Sequence, residues 1–247
     1  MKKATLVAIG DSHPIHLNKI EPTSISDSNL ADWTYDSVKS MMELLRLADP
    51  ETYQHCLRVG EFCRKLARDL GLNEFQQKSA HFAGMLHDIG KIGIASGILH
   101  KPSRLTDAEY DIMKSHSCLS EEIIQPLGRL NKFIELLTSG VRGHHERMDG
   151  SGYPDHLVGE AIPLYSRIIS VSDTYDAMKN SRVYRRGLDN ESIYTELKRC
   201  AGAQFDFQIV KTFLEAHPTW DVVNDIDLEV QAKIVHSDRT SSFKKAA

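Results

Sequence analysis

From Trp33 to Ala216 the apolar residues of this chain recur at helical spacing, and the apolar–polar alternation of half-buried strands is nearly absent. That pattern restricts the chain to an all-α fold. Val38, Met41, Met42, Leu44 and Leu45 mark a first helix, which Asp49-Pro50 interrupts. A second runs from Glu51 to Leu70, with Val59, Phe62, Cys63, Leu66 and Ala67 on its apolar face and Gly71 as its stop. A third covers Glu74 to Asp88 and ends at Gly90. Thr106-x-x-Glu109 is a capping box opening a short helix that leads to His116. Further helices are expected over Leu119–Gln125, Leu130–Gly143, Pro163–Met178, Asn190–Cys200 and Phe207–Ala216.

Residues 1–30 read differently. Thr5 to Ile9 can form one short strand, and Gly10, Pro14, Pro22 and a polar run follow it, so the segment is an arm or a linker. Residues 31–220 then form one helical domain, and 221–247 a tail that frays. The chain has 41% apolar and 26% charged residues, ordinary for a soluble globular protein. A net charge of −4 argues against a nucleic-acid polymer as partner. The N-terminal apolar stretch, Ala4–Ile9, is too short for a signal peptide or a membrane span, so a cytoplasmic protein without a membrane partner is expected. Cys56, Cys63, Cys118 and Cys200 form no C-x-x-C pair and read as reduced thiols.

Two pairs of adjacent metal-binding side chains stand out, His87-Asp88 and His144-His145. Imidazole and carboxylate together are the usual ligand set for divalent transition metals. Glu51 and His55 lie four residues apart on one helical face, His116 follows the capped helix, and Asp173 falls on the inner stripe of a later one. A carboxylate buried there among small and apolar residues requires a partner, and a metal supplies one. Singly each has a plainer reading. His55 fits a hydrogen-bonded core histidine, and Glu51 a first-turn carboxylate on the helix dipole. His13, His16, His217 and His236 read as surface residues, and His81 and His100 as structural. Eight candidate ligands at the ends of consecutive helices point to a multinuclear metal site and hydrolytic chemistry.

The ordered set His55, His87-Asp88-Ile89-Gly90-Lys91, His116, His144-His145-Glu146-Arg147, Gly152-Tyr153-Pro154 and Asp173 resembles the HD-GYP phosphodiesterases, a bacterial branch of the HD superfamily. The resemblance extends from Trp33 to Ala216 and includes Lys101-Pro102-x-x-Leu105-Thr106 and Arg182-Val183-Tyr184-Arg185. It implies an HD-type helical bundle that hydrolyses cyclic di-GMP to pGpG, with onward cleavage to GMP as a further step. By position, His55, His87, Asp88, His116, His144, His145 and Asp173 match the family's metal ligands, and Glu51 a glutamate found where a third ion is bound. Lys91, Arg182 and Arg185 match basic residues that hold phosphate or base. Two or three ions are implied, with three expected here. Iron is favoured and manganese is the alternative. Val183, His100 and Ser117 depart from the family's frequent residues without removing a ligand.

On this reading Asp88 bridges two ions, a hydroxide between them attacks in line, and Lys91 holds a phosphate oxygen. As a residue alone, Lys91 also fits a solvated helix-end lysine. Gly152-Tyr153-Pro154 is a turn by composition, and the resemblance adds a surface for diguanylate cyclase (GGDEF) domains or a separate sensory protein. The rival readings are another cyclic dinucleotide such as cyclic GMP-AMP, a nucleotide phosphohydrolase, or a catalytically silent binding module. The arm and the Val38–Leu45 helix offer a contact for a homodimer.

Overall fold

The computed structural model describes residues 32–128, 132–180 and 187–221. The expected strand at Thr5–Ile9, the tail after Asp221, and His13, His16 and His236 lie outside them. Ten α-helices are found among the described residues: α1 (Asp32–Ala48), α2 (Pro50–Asp69), α3 (Glu74–Leu86), α4 (Ser96–Leu99), α5 (Asp107–Lys114), α6 (His116–Gly128), α7 (Lys132–Arg142), α8 (Leu164–Lys179), α9 (Asn190–Cys200) and α10 (Phe207–Ala216). The described residues hold two isolated bridges, Asp149 with Val158 and Ala201 with Phe205, and no strand.

Local chemistry sets most of these ends. Asp49 caps α2 by accepting from the amides of Glu51 at 3.2 Å and Thr52 at 3.3 Å, and Pro50 occupies the first turn, where its missing N–H costs nothing. Asn73 with Gln76, and Thr106 with Glu109, form the capping boxes of α3 and α5. Two boundaries depart from the periodicity. α3 stops at Leu86, and the chain turns through His87 and Asp88 into a 3-10 turn, Ile89–Gly93. α6 opens at His116 rather than at Leu119, because the Leu119 amide already bonds the Ser115 carbonyl at 2.9 Å.

α2 is the central rod, packed by α1, α3, α8 and α10, while α7 lies between α3, α6 and α8. Val59 and Leu66 of α2, Leu86 of α3, Leu137 and Val141 of α7, and Ile168 and Ile169 of α8 are buried in one core. Each such side chain stabilises the fold by about 1.5–3 kcal/mol relative to exposure. This bundle brings the end of α3, the start of α6, the end of α7 and inner turns of α2 and α8 around one point.

On α1, Val38, Met42 and Leu45 are buried in the chain's own core, and Leu44 and Leu47 stay exposed. His217 is not a surface histidine. It packs among Phe213, Tyr175 and Trp220, its Nδ1 lies 2.6 Å from the Tyr194 hydroxyl, and burial lowers its pKa to about 4. The helical period could not register this, because Pro218 ends the pattern beside it. His100 is exposed, and His81 sits on α3 beside Phe82. No helix among the described residues is long and apolar enough to cross a membrane.

Candidate metal centre

His55 projects from the middle of α2, His87 and Asp88 from the turn after α3, His116 from the first residue of α6, His144 and His145 from the turn after α7, and Asp173 from α8. Their side chains converge. His55, His87 and Asp88 form one group, and His116, His144 and His145 a second, with ligand atoms within 4.8 Å of one another in each. Asp88 joins the two: its Oδ2 is 3.3 Å from His87 Nε2 and its Oδ1 is 3.2 Å from His116 Nε2. Asp173 Oδ1 reaches the first group, 3.1 Å from His55 Nε2 and 4.0 Å from His87 Nε2.

One local device orients three of these rings. The Nδ1 atoms of His87, His116 and His144 lie 2.7, 2.7 and 2.6 Å from the carbonyls of Gly84, Met113 and Val141, each three residues back. A carbonyl can only accept, so each Nδ1 carries a proton and each ring turns its Nε2 inward. Burial holds His116 and His144 below the ordinary histidine range and His145 at about 3, so these rings are neutral at pH 7. The Nε2 atoms of His116 and His144 then face each other 3.2 Å apart with no proton between them.

His87 Nε2 and Asp88 Oδ1 are buried without a hydrogen-bond partner, which costs free energy unless a cation receives them. Burial alone would raise the Asp88 pKa, but His87 and Lys91 hold it well below the usual carboxylate range, so Asp88 is ionised. Bare imidazole nitrogens around an ionised carboxylate are the donor set of a divalent transition metal, and these residues fit one.

His55 differs. Its Nδ1 donates to Asp176 Oδ2 at 2.7 Å, and Asp176 is itself gripped by Arg58, at 2.8 Å from Nε, and by the Asn180 amide at 2.9 Å. Burial works against charge on His55, but the bonds to Asp173 and Asp176 prevail and raise its pKa to about 9. A proton therefore sits where a cation would bind. Asp176 was missed from the sequence, although its spacing of three from Asp173 puts both on one helical face.

Lys91 donates from Nζ to Asp88 Oδ2 at 2.6 Å, so its charge stands against the joining carboxylate rather than in solvent. Gly90 lets this turn approach α6: a Cβ there would lie 2.2 Å from the His116 carbonyl oxygen. Glu51 is exposed on the first turn of α2 and belongs to neither group. Arg182 and Arg185 lie outside the described residues.

The loop carrying Gly152, Tyr153 and Pro154 folds back on the centre. Buried Glu146, also missed as a site residue, accepts from the amides of Asp155 at 2.6 Å and Leu157 at 3.1 Å. Its adjacency to the paired histidines was the available signal. The loop's Tyr153–Pro154 bond is cis. A Cβ on Gly152 would lie 2.4 Å from the Arg147 amide nitrogen, so the loop closes only with glycine there. The Tyr153 ring stacks on His145 with centroids 4.7 Å apart.

The sequence is 36% identical over 185 residues to a cyclic di-GMP phosphodiesterase of Thermotoga maritima, covering 74% of this chain and 50% of the relative. It is 42% identical over 134 residues to a 3'3'-cGAMP-specific phosphodiesterase of Vibrio cholerae, covering 54% of this chain and 30% of the relative. The chain thus spans half or less of the length of these curated relatives. The fold resembles the solved HD domain of the L. monocytogenes phosphodiesterase PgpH in complex with cyclic-di-AMP, with a TM-score of 0.51 and 18% identity, covering 75% of this chain and 99% of that one. Residues 39–209 match the HD domain family, a stretch that contains both histidine groups, and the chain belongs to that family.

Proposed function

We propose that this chain is a metal-dependent phosphodiesterase that hydrolyses cyclic di-GMP to pGpG, with GMP as the product of a second cleavage. The observation that carries this reading is Asp88, whose two oxygens face two separate histidine groups at 3.2 and 3.3 Å. We assign the catalytic unit to residues 31–220 and leave the arm (1–30) and the tail (221–247) outside it.

His55, His87, Asp88 and Asp173 would hold one ion, and His116, His144 and His145 with Asp88 a second. Two divalent ions so placed supply water activation at neutral pH and neutralise charge on the phosphoryl and leaving oxygens. The two groups support two ions, and iron suits their predominance of imidazole, with manganese as the alternative. The protein side of the chemistry is positional. The carbonyls of Gly84, Met113 and Val141 fix which nitrogen each ring presents, and Asp176 does the same for His55. Lys91 keeps a positive charge beside Asp88, within reach of a non-bridging phosphate oxygen once its bond to Asp88 is released. Arg182 and Arg185 are assigned to phosphate or base. We assign Gly152-Tyr153-Pro154 to shaping the site through His145, in preference to docking a diguanylate cyclase.

A second reading, hydrolysis of 3'3'-cGAMP, draws support from the Vibrio relative. The test is turnover by anaerobically purified protein of cyclic di-GMP, 3'3'-cGAMP and cyclic di-AMP, followed by product chromatography. Cyclic di-GMP should be the best substrate, with pGpG appearing first. Preference for 3'3'-cGAMP would transfer the assignment to the second reading, and no turnover of any of the three would overturn both.

A further inference from the structure

Beside the metal centre lies a cavity of about 250 Å³. His145 and Asp173 of the centre line it, together with Ser170, Thr174 and Gln204. Gln204 comes from the turn between α9 and α10, far in sequence from every metal-ligand candidate. Its carbonyl accepts from the Met148 amide at 3.2 Å, and the Ala203 carbonyl accepts from the Asp149 amide at 2.8 Å. These bonds tie the turn to the segment just after the paired histidines.

The backbone of Gln204 is thus fixed, while its side-chain amide has no hydrogen-bond partner among the described residues. The same holds for the hydroxyls of Ser170 and Thr174. Arg147 also lines the cavity, but its charge is matched by Asp149, with Nη2 to Oδ2 at 3.1 Å. Glu146 lines it too, its two carboxylate oxygens taken by the Asp155 and Leu157 amides, so away from the centre the unpaired groups of the lining are neutral donors and acceptors. The Tyr110 ring, 51% exposed, stands at the same cavity. Such a lining suits a flat, uncharged heterocycle better than a phosphate.

We propose that this cavity receives one guanine of the substrate and that Gln204 reads its edge, which rests on the cyclic di-GMP reading above. Guanine presents the O6 acceptor beside its ring and amino N–H donors. A primary amide matches both at once, donating from its NH2 and accepting at its oxygen. A leucine of similar volume offers neither, so it loses the whole match, whereas a carboxylate would still accept from the ring N1–H and the amino N–H of the same edge. Ser170 and Thr174, one turn apart on α8, remain for the ribose hydroxyls.

The test compares the metal-loaded full chain with its Gln204→Leu variant on two diesters, cyclic di-GMP and the base-free bis(p-nitrophenyl) phosphate. The ratio of kcat/KM for cyclic di-GMP to that for the base-free diester should fall about tenfold or more in the variant. An unchanged ratio, including a parallel fall on both substrates, overturns the role of Gln204, because a turn that merely supports the fold affects both alike. If the parent cleaves the base-free diester and not cyclic di-GMP, the functional reading itself fails and Gln204 with it. The parent and the variant thus separate the two failures.

Discussion

The Asp176 carboxylate lies 2.7 Å from His55 Nδ1, while the Nε2 of the same ring faces Asp173 at 3.1 Å. The ring is a lever held at one end by a carboxylate on α8 and offered to the centre at the other. Asp176→Asn keeps the shape and removes the charge that orients the ring. Metal affinity should fall about 10- to 100-fold, measured by competition with a chelator, with the helical content unchanged. Unaltered affinity would make Asp176 a packing residue only.

Proton and cation compete for His55. Its pKa in the folded, metal-free protein is raised to about 9 from an ordinary 6.5. The proton's contribution to stability is therefore full below pH 6.5 and is lost as pH rises through 9. Metal binding runs the opposite way, since the cation displaces that proton. Apparent affinity at the His55 group should rise by up to about tenfold per pH unit between neutrality and pH 9, then level off. Affinity independent of pH across that interval would remove His55 from the ligand set.

Lys91→Ala should separate chemistry from metal binding. The ammonium donates to Asp88 at 2.6 Å but offers no lone pair to a cation, so the variant should keep its metal. Turnover should fall about 100- to 1000-fold, the typical loss for one well-placed electrostatic donor. Metal loss with the lysine would show that it acts by holding Asp88 in place.

Glu51 tests the number of ions. The resemblance places it where a third ion is bound, yet its side chain is exposed and outside both groups. Glu51→Ala should leave the metal count of the loaded protein at two, by elemental analysis against protein concentration. A count that drops by one would restore a trinuclear site.

The all-α class and most helix positions were legible in the sequence, because a 3.6-residue period with caps at Asn73 and Thr106 is a local signal. The convergence of His55, His87, Asp88, His116, His144, His145 and Asp173 was legible as well, since histidine pairs at helix ends have few other uses. Local signals failed where the cause was tertiary. His116 opens α6 instead of trailing α5, and α3 ends at Leu86, before the turn in which Gly90 packs against α6. His217 is half-buried by residues distant in sequence, Phe62 among them. Asp176 bonds His55 and Arg58 on α2, contacts that link positions more than a hundred residues apart and that no local pattern encodes.

The central claim is that Asp88 joins two metal-binding groups into one catalytic centre. The most direct measurement is metal content together with cyclic di-GMP turnover in Asp88→Ala, purified anaerobically beside the parent. The parent should carry two ions per chain and turn over. The variant should lose metal and all measurable hydrolysis while retaining its helical spectrum, because no other group reaches both His87 Nε2 and His116 Nε2 at 3.3 and 3.2 Å among the described residues. An Asp88→Ala protein with two ions and near-parental turnover would contradict the account.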